Sequence, residues 1–259
     1  MGQQSAPEVM SSLMRSAEDV GVESVWVVDH IAIPPDDIEG SGGRYFDPLT
    51  VLAWMSAQSK KIKLATGILV LPYRSRLPTA KAIASIQELS GGRLILGVGI
   101  GWMEPEFKAL GVPIDRRAEI AEDTLSFIND CFDRDVMESN GQPFIFEPKP
   151  KKPTIFVGGM SSKAIRRAVE FNAGWFPMGR LENIRGRIAD FRQRALAHSG
   201  RIPEVVTYVN ISEKTDNELD KIIDEYRDAG ITRIVLNQKY QAVDDWLRTF
   251  ESLDRRSSY

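Results

Sequence analysis

The sequence predicts an α/β fold with a parallel sheet, and three observations predict it. Short β-branched runs alternate with amphipathic helical stretches along the chain. The runs lack the polar alternation of a half-exposed sheet, as strands buried on both faces do, and no long break in composition divides them into modules. At 259 residues the chain can bury one large core, and residues 1–259 are read as a single domain.

The first helix is read from Ser5 and Glu8, spaced as a capping box, from Pro7 in the first turn, and from Val9, Leu13, Ala17 and Val20 at helical spacing up to Gly21. Ser24-Val-Trp-Val-Val-Asp29 is a short β-branched strand. Asp47 and Pro48 open a second helix, and Ile62 to Leu71 is the next strand. Pro78 to Leu89 is a helix closed by Gly91-Gly92, followed by the strand Arg93 to Ile100. Asp115 to Phe132 is a long helix. The segment Asp133 to Lys152, with Asn140-Gly141 and several prolines, is a turn-rich excursion with room for a small hairpin around Phe144 to Phe146. The rhythm then resumes with strand Thr154 to Gly159, helix Ser162 to Asn172, strand Ala173 to Met178 and helix Leu181 to His198. It ends with strand Val205 to Ile211, helix Asn217 to Ala229, strand Arg233 to Asn237 and helix Asp244 to Leu253.

Seven strand candidates are one short of a TIM-type (β/α)₈ barrel. The missing one would precede the first helix, where the polar Met1 to Gln4 cannot supply it, so the expectation is a barrel lacking its first strand.

Composition narrows the function. With 33 Lys and Arg against 36 Asp and Glu, the net charge of -3 provides no field for gathering polyanions, which argues against nucleic acid. No apolar stretch approaches the roughly 20 residues that cross a bilayer, and neither a signal pattern nor a myristoylation motif is present, so a cytoplasmic protein with no membrane partner is expected. The lone Cys131 reads as a packing residue. Without a P-loop, H-E-x-x-H, G-x-S-x-G or Cys cluster, no metal site is expected, and the chemistry points to a borrowed organic cofactor.

In such barrels the site lies where strands stop. Asp29 and His30 end the first strand; His30 is either a site residue or a strand cap bonded to a nearby carbonyl, and His198 is a surface residue. Thr66-Gly67-Ile68 places a glycine inside a strand, which signals a bulge or a close approach of ligand to backbone. Gly97-Val-Gly-Ile-Gly101-Trp102 offers alternating glycines, Gly99 and Gly101 among them, without completing the dinucleotide fingerprint. Gly158-Gly159-Met160-Ser161-Ser162 leads a strand into a helix. It is read equally as a phosphate seat and as a tight turn with a serine N-cap. The aromatic residues of Ala173 to Gly179 read as core.

Together, Ala17 to Gly21, Ser24 to His30, Phe46-Asp-Pro-Leu49, Ala65-Thr-Gly-Ile-Leu-Val-Leu-Pro-Tyr-Arg74, Leu89-Ser-Gly-Gly-Arg-Leu-Ile-Leu-Gly-Val-Gly99, Gly101-Trp102 and Phe156-Val-Gly-Gly159 resemble the luciferase-like monooxygenase superfamily, and within it the branch that uses the deazaflavin coenzyme F420. The resemblance runs from about Ser5 to Gly179. It implies a flavin- or deazaflavin-dependent oxidoreductase acting on a small organic substrate, with F420 as cofactor and FMN as the alternative, and a homodimer as the assembly. It also implies a non-prolyl cis peptide at Gly67-Ile68, and Asp29 and His30 beside ring and substrate. Thr66, Gly67, Ile68, Gly99 and Gly101 would then lie around the ring, with Trp102 and Glu104 as neighbours, and Gly158, Gly159, Met160 and Ser161 around the cofactor phosphate. The excursion 133–152 corresponds to a region that helps cover the site in relatives. A non-catalytic barrel subunit with an incomplete cofactor site is the alternative of a different class.

Overall fold

The computed structural model describes residues 2, 5–39, 41–212, 214–239 and 243–257, with side chains to residue 251 apart from Val243. The expectation about Met1, Gln3 and Gln4 lies outside the described residues. The chain forms two compact units, Met1–Pro153 and Thr154–Tyr259.

The first unit begins with helix α1 (Pro7–Asp19) and strand β1 (Ser24–Val27). The expected capping box does not form. Proline at the first helical position makes Ala6 the N-cap, so Ser5 falls one residue too early and its hydroxyl donates to the Gly2 carbonyl at 2.6 Å. Helix α2 (Pro48–Gln58) starts as expected, with the Asp47 carboxylate accepting the Thr50 N–H at 2.8 Å.

Strands β2 (Lys63–Val70) and β3 (Leu94–Gly99) flank helix α3 (Arg76–Leu89), and β1, β2 and β3 pair in parallel in that order. Nearly every residue of β2 and β3 is buried, which accounts for their unbroken apolar sequence. After α3 the chain turns through left-handed Gly91 and Gly92, and the Gly92 N–H returns to the Gln87 carbonyl at 2.8 Å. Arg93 then donates to the carbonyls of Ser56, Ser59, Ile62 and Ser90, tying the end of α2 to the start of β2 and β3. The Leu-Ser-Gly-Gly-Arg-Leu block is therefore a structural brace at the strand N-termini.

A helix not read from the sequence, α4 (Glu104–Leu110), follows β3, and α5 (Arg117–Asp133) follows it. Cys131 packs fully buried in α5, and burial pushes its thiol up to about 11. The excursion contains a hairpin, β4 (Val136–Ser139) and β5 (Gln142–Ile145), turned at Asn140-Gly141, both with positive φ. Phe146, just beyond it, is buried against Phe132 of α5.

In the second unit β6 (Thr154–Gly158) pairs in parallel with β7 (Gly174–Phe176) across helix α6 (Ser162–Glu170). Helix α7 (Leu181–Ser199) leads to β8 (Val206–Asn210), which pairs in parallel with β9 (Arg233–Asn237) across α8 (Asp216–Asp228), and α9 (Val243–Ser257) follows. Phe156, Trp175, Phe176 and Phe191 are fully buried here, so the aromatic residues of 173–178 are core, as read. Among the described residues the parallel strands are the seven expected. No helix among them is long and apolar enough to cross a membrane.

Candidate active site at the ends of the first three strands

Just past the end of β1 the two expected residues separate in role. Asp29 is completely buried, and its carboxylate accepts the Val70 N–H at 2.8 Å and two bonds from the Arg74 guanidinium at 2.6 and 2.9 Å. Arg74 also reaches the exposed Asp47 at 2.6 Å, so one guanidinium joins the ends of β1 and β2 to the N-terminus of α2. Burial raises the Asp29 pKa against the opposing pull of Arg74 and the Val70 N–H. Burial likewise raises that of Asp47, but there Arg74 and the Thr50 N–H outweigh it and the net direction is down. Both oxygens of Asp29 are thus engaged within the protein.

His30 points to a different partner. Its Nδ1 lies 3.2 Å from Oε2 of Glu106, whose side chain is 1% exposed, while the imidazole itself is 20% exposed. The other Glu106 oxygen accepts the N–H groups of Ile31 and Ala32 at 2.6 and 3.0 Å, and the Tyr73 hydroxyl donates to Oε2 at 2.7 Å. Burial would raise the Glu106 pKa; the Ala32 N–H, the Tyr73 hydroxyl, the Ile31 N–H and His30 together hold it below the usual carboxylate range. Burial, reinforced by hydrogen bonding to Glu106, moves the Tyr73 phenol well up, so it remains a donor. Tyr45 stacks at a tilt 4.8 Å from His30, and Trp102 meets it edge-on at 6.4 Å with 71% of its surface exposed.

Sequence reading missed Glu106. Of the two acidic residues in Glu104-Pro-Glu106, the resemblance points only to Glu104, as a neighbour of the ring. Yet the helical turn of α4 exposes Glu104 and buries Glu106 beside Phe107. Only the existence of α4, seven residues long, decides between them, and so short an element leaves no periodic signal.

Between β1 and β3 the peptide Gly67–Ile68 is cis, as the resemblance implied, and the β2–β3 register shifts between Thr66 and Leu69. The bulge leans against glycines. A Cβ on Gly97 would lie 2.2 Å from the Thr66 carbonyl oxygen, and one on Gly99 would lie 1.9 Å from Cδ1 of Ile68. Gly101 has φ +77°, and a Cβ there would meet Val70 and Phe107 below 3.0 Å. Gly97 and Gly99 thus make room for the protein's own bulge, and Gly101 for Val70 and Phe107. Thr66 adds a hydrogen bond from its hydroxyl to the Gly97 carbonyl at 2.7 Å.

This gives a specific expectation. Gly99→Ala displaces only the far end of the Ile68 side chain, so it is expected to cost about 1–3 kcal/mol in chemical denaturation, and Ile68→Val, which removes Cδ1, is expected to recover most of that loss. Strict additivity of the two substitutions would show that the contact is not the cause.

In the second unit the turn from β6 to α6 is tight. The Gly159 N–H bonds the Phe176 carbonyl at 3.1 Å, Gly159 has φ +122°, and the Trp175 indole donates to its carbonyl at 2.8 Å. Ser161 is the N-cap of α6, accepting the Ala164 N–H at 3.2 Å. The guanidinium of Arg187 in α7 donates to the Met160 carbonyl, placing a cation at this turn that sequence reading did not single out.

The sequence profile of the luciferase-like monooxygenase family matches residues 1–255. The chain belongs to this family. Among luciferase-like relatives, it is 28% identical over 191 residues to an FMNH2-dependent dimethylsulfone monooxygenase of Pseudomonas putida, a match covering 69% of this chain and 52% of that one. It is 26% identical over 166 residues to a 5,10-methylenetetrahydromethanopterin reductase of Archaeoglobus fulgidus, covering 62% of this chain and 46% of that one. The chain thus spans about half the length of these curated relatives. Among solved structures, an F420-dependent secondary alcohol dehydrogenase superposes with a TM-score of 0.80 at 15% identity, covering 96% of this chain and 94% of that one. A monooxygenase from Streptomyces bottropensis gives 0.77 at 18%, covering 95% and 91%. These likenesses fix the fold class, the α/β luciferase-like TIM-barrel type, and the family is one of flavin- or F420-dependent oxidoreductases and monooxygenases.

Proposed function

We propose that the chain is an oxidoreductase that exchanges two electrons with a small organic substrate, using coenzyme F420 and an alcohol or carbonyl as the reacting group. The observation that carries this reading is His30. It is anchored through one nitrogen to a buried carboxylate and partly exposed just past the end of β1. When bound, the deazaflavin supplies hydride transfer. The residues present fit a flat ring. Ile68 of the bulge offers a half-buried apolar side chain, and His30, Tyr45 and the exposed Trp102 form an aromatic cluster.

His30 moves the proton that balances charge on the substrate oxygen as the hydride leaves or arrives. Glu106 and Tyr73 hold its ring, and Asp29 and Arg74 hold the strand ends that frame it. In the second unit, the turn Gly158–Ser161, where Arg187 donates to the Met160 carbonyl, is an anion seat of the kind a phosphate takes, since a helix start and a cation both favour an anion. The FMNH2-dependent relatives favour a second reading, in which the same residues serve FMN and oxygen chemistry. His30→Ala is expected to lower turnover by about 10²- to 10⁴-fold with cofactor binding and melting temperature preserved. Unchanged turnover with unchanged binding would remove His30 from the mechanism.

A further inference from the structure

We propose that Glu106 sets the tautomer of His30, keeping a proton on Nδ1 so that Nε2 is the atom that exchanges protons. The inference deepens the proposed function and rests on it for what Nε2 does, but the tautomer follows from geometry alone. A carboxylate offers about four acceptor positions. In Glu106 three are met by the N–H groups of Ile31 and Ala32 and the Tyr73 hydroxyl, and the fourth faces Nδ1 of His30 at 3.2 Å. Every established partner of this carboxylate is a donor, which keeps it ionised and therefore acceptor-only. An acceptor-only neighbour requires a hydrogen on Nδ1, and a neutral ring then carries its lone pair on Nε2.

Free histidine prefers the opposite tautomer, with the hydrogen on Nε2, so the site reverses the intrinsic preference. Among the described residues no side chain hydrogen-bonds Nε2; the ring otherwise meets the aromatic faces of Tyr45 and Trp102. The other charged groups at these strand ends, Asp29, Arg74 and Asp47, bond one another. The carboxylate that fixes the ring also fixes the backbone of residues 31 and 32, so imidazole and loop are held by one anchor. Glu106 is thus a positioning residue that acts through His30.

The chain has two histidines, so a ring-¹⁵N-labelled sample gives two spin systems, assigned with His30→Gln. Two-bond ¹H–¹⁵N correlation at about pH 9, where an ordinary imidazole is neutral, distinguishes protonated from unprotonated nitrogens directly. The expected result is a protonated Nδ1 and a bare Nε2 for His30, retained in Tyr73→Phe, and a shift toward protonated Nε2 in Glu106→Gln, with His198 unchanged throughout. A bare Nδ1 in the unsubstituted protein would overturn the inference, whether or not Glu106→Gln folds, and so would a tautomer that survives Glu106→Gln. Because no cofactor or substrate is needed, failure here is separate from failure of the proposed function.

Discussion

Arg74→Met lowers stability at neutral pH by about 3–5 kcal/mol, the range for removing one partner of a buried ion pair. The Asp29 carboxylate is fully buried and takes two of its bonds from this guanidinium, so the substitution leaves an anion with the Val70 N–H and no countercharge. Methionine keeps the length and apolar bulk of the arginine stem, which makes the loss one of charge pairing more than packing. Asp29→Asn in the same chain is expected to recover much of the deficit, because a neutral amide needs no cation. The pH dependence has a definite sign. Burial raises the pKa of Asp29 above its unfolded value already in the unsubstituted protein, and loss of Arg74 raises it further. A raised pKa means that the folded state binds the proton more tightly, so stability falls as pH rises from about 4 toward the folded value. Urea denaturation is therefore expected to show a deficit largest at neutral pH and shrinking toward pH 4. A deficit below about 1 kcal/mol, or none recovered by Asp29→Asn, would show that the clamp carries no weight.

Gly97→Ala is the second large effect. Its Cβ would lie 2.2 Å from the Thr66 carbonyl oxygen and 3.3 Å from the carbon of the same group, both backbone atoms of the neighbouring central strand. No rotamer change relieves that overlap, in contrast to Gly99, where the obstacle is the tip of a side chain. The strand must move, and with it the hydrogen bond from Thr66 to Gly97. The cost is expected at or above the upper end of the roughly 1–3 kcal/mol seen for overpacking, a fall in melting temperature of at least about 6 °C for a chain of this length. Cofactor affinity is expected to fall with it. A variant that melts within a degree or two of the parent would mean that the bulge tolerates a side chain.

The two glycine positions also show what the sequence could and could not reveal. Alternating glycines at 97, 99 and 101 were legible as a place of close approach, but not what approaches. The structure fills that space with the chain itself, the bulge at Gly97 and Gly99 and the side chains of Val70 and Phe107 at Gly101. The strand and helix order was legible because buried parallel strands are apolar throughout and α3 ends in a Gly-Gly pair, signals that lie within a few residues of the elements they mark. The hairpin turn at Asn140-Gly141 was local in the same sense. The polar cluster was not. Glu106 lies 76 residues from His30, and Arg74 45 residues from Asp29, and nothing nearby in sequence says which carboxylate a fold will bury. Ser5 is the converse case, a correctly spaced capping pair overruled by Pro7, which moves the N-cap one residue on to Ala6.

The most direct measurement is a parallel titration of the purified chain with F420 and with FMN, followed by fluorescence and calorimetry. Micromolar binding of F420, weaker binding of FMN, and loss of affinity in Gly97→Ala are the results expected here. Tight binding of FMN alone would move the chain to the monooxygenase reading, and no binding of either cofactor up to millimolar concentration would contradict the assignment of a redox site to these strand ends.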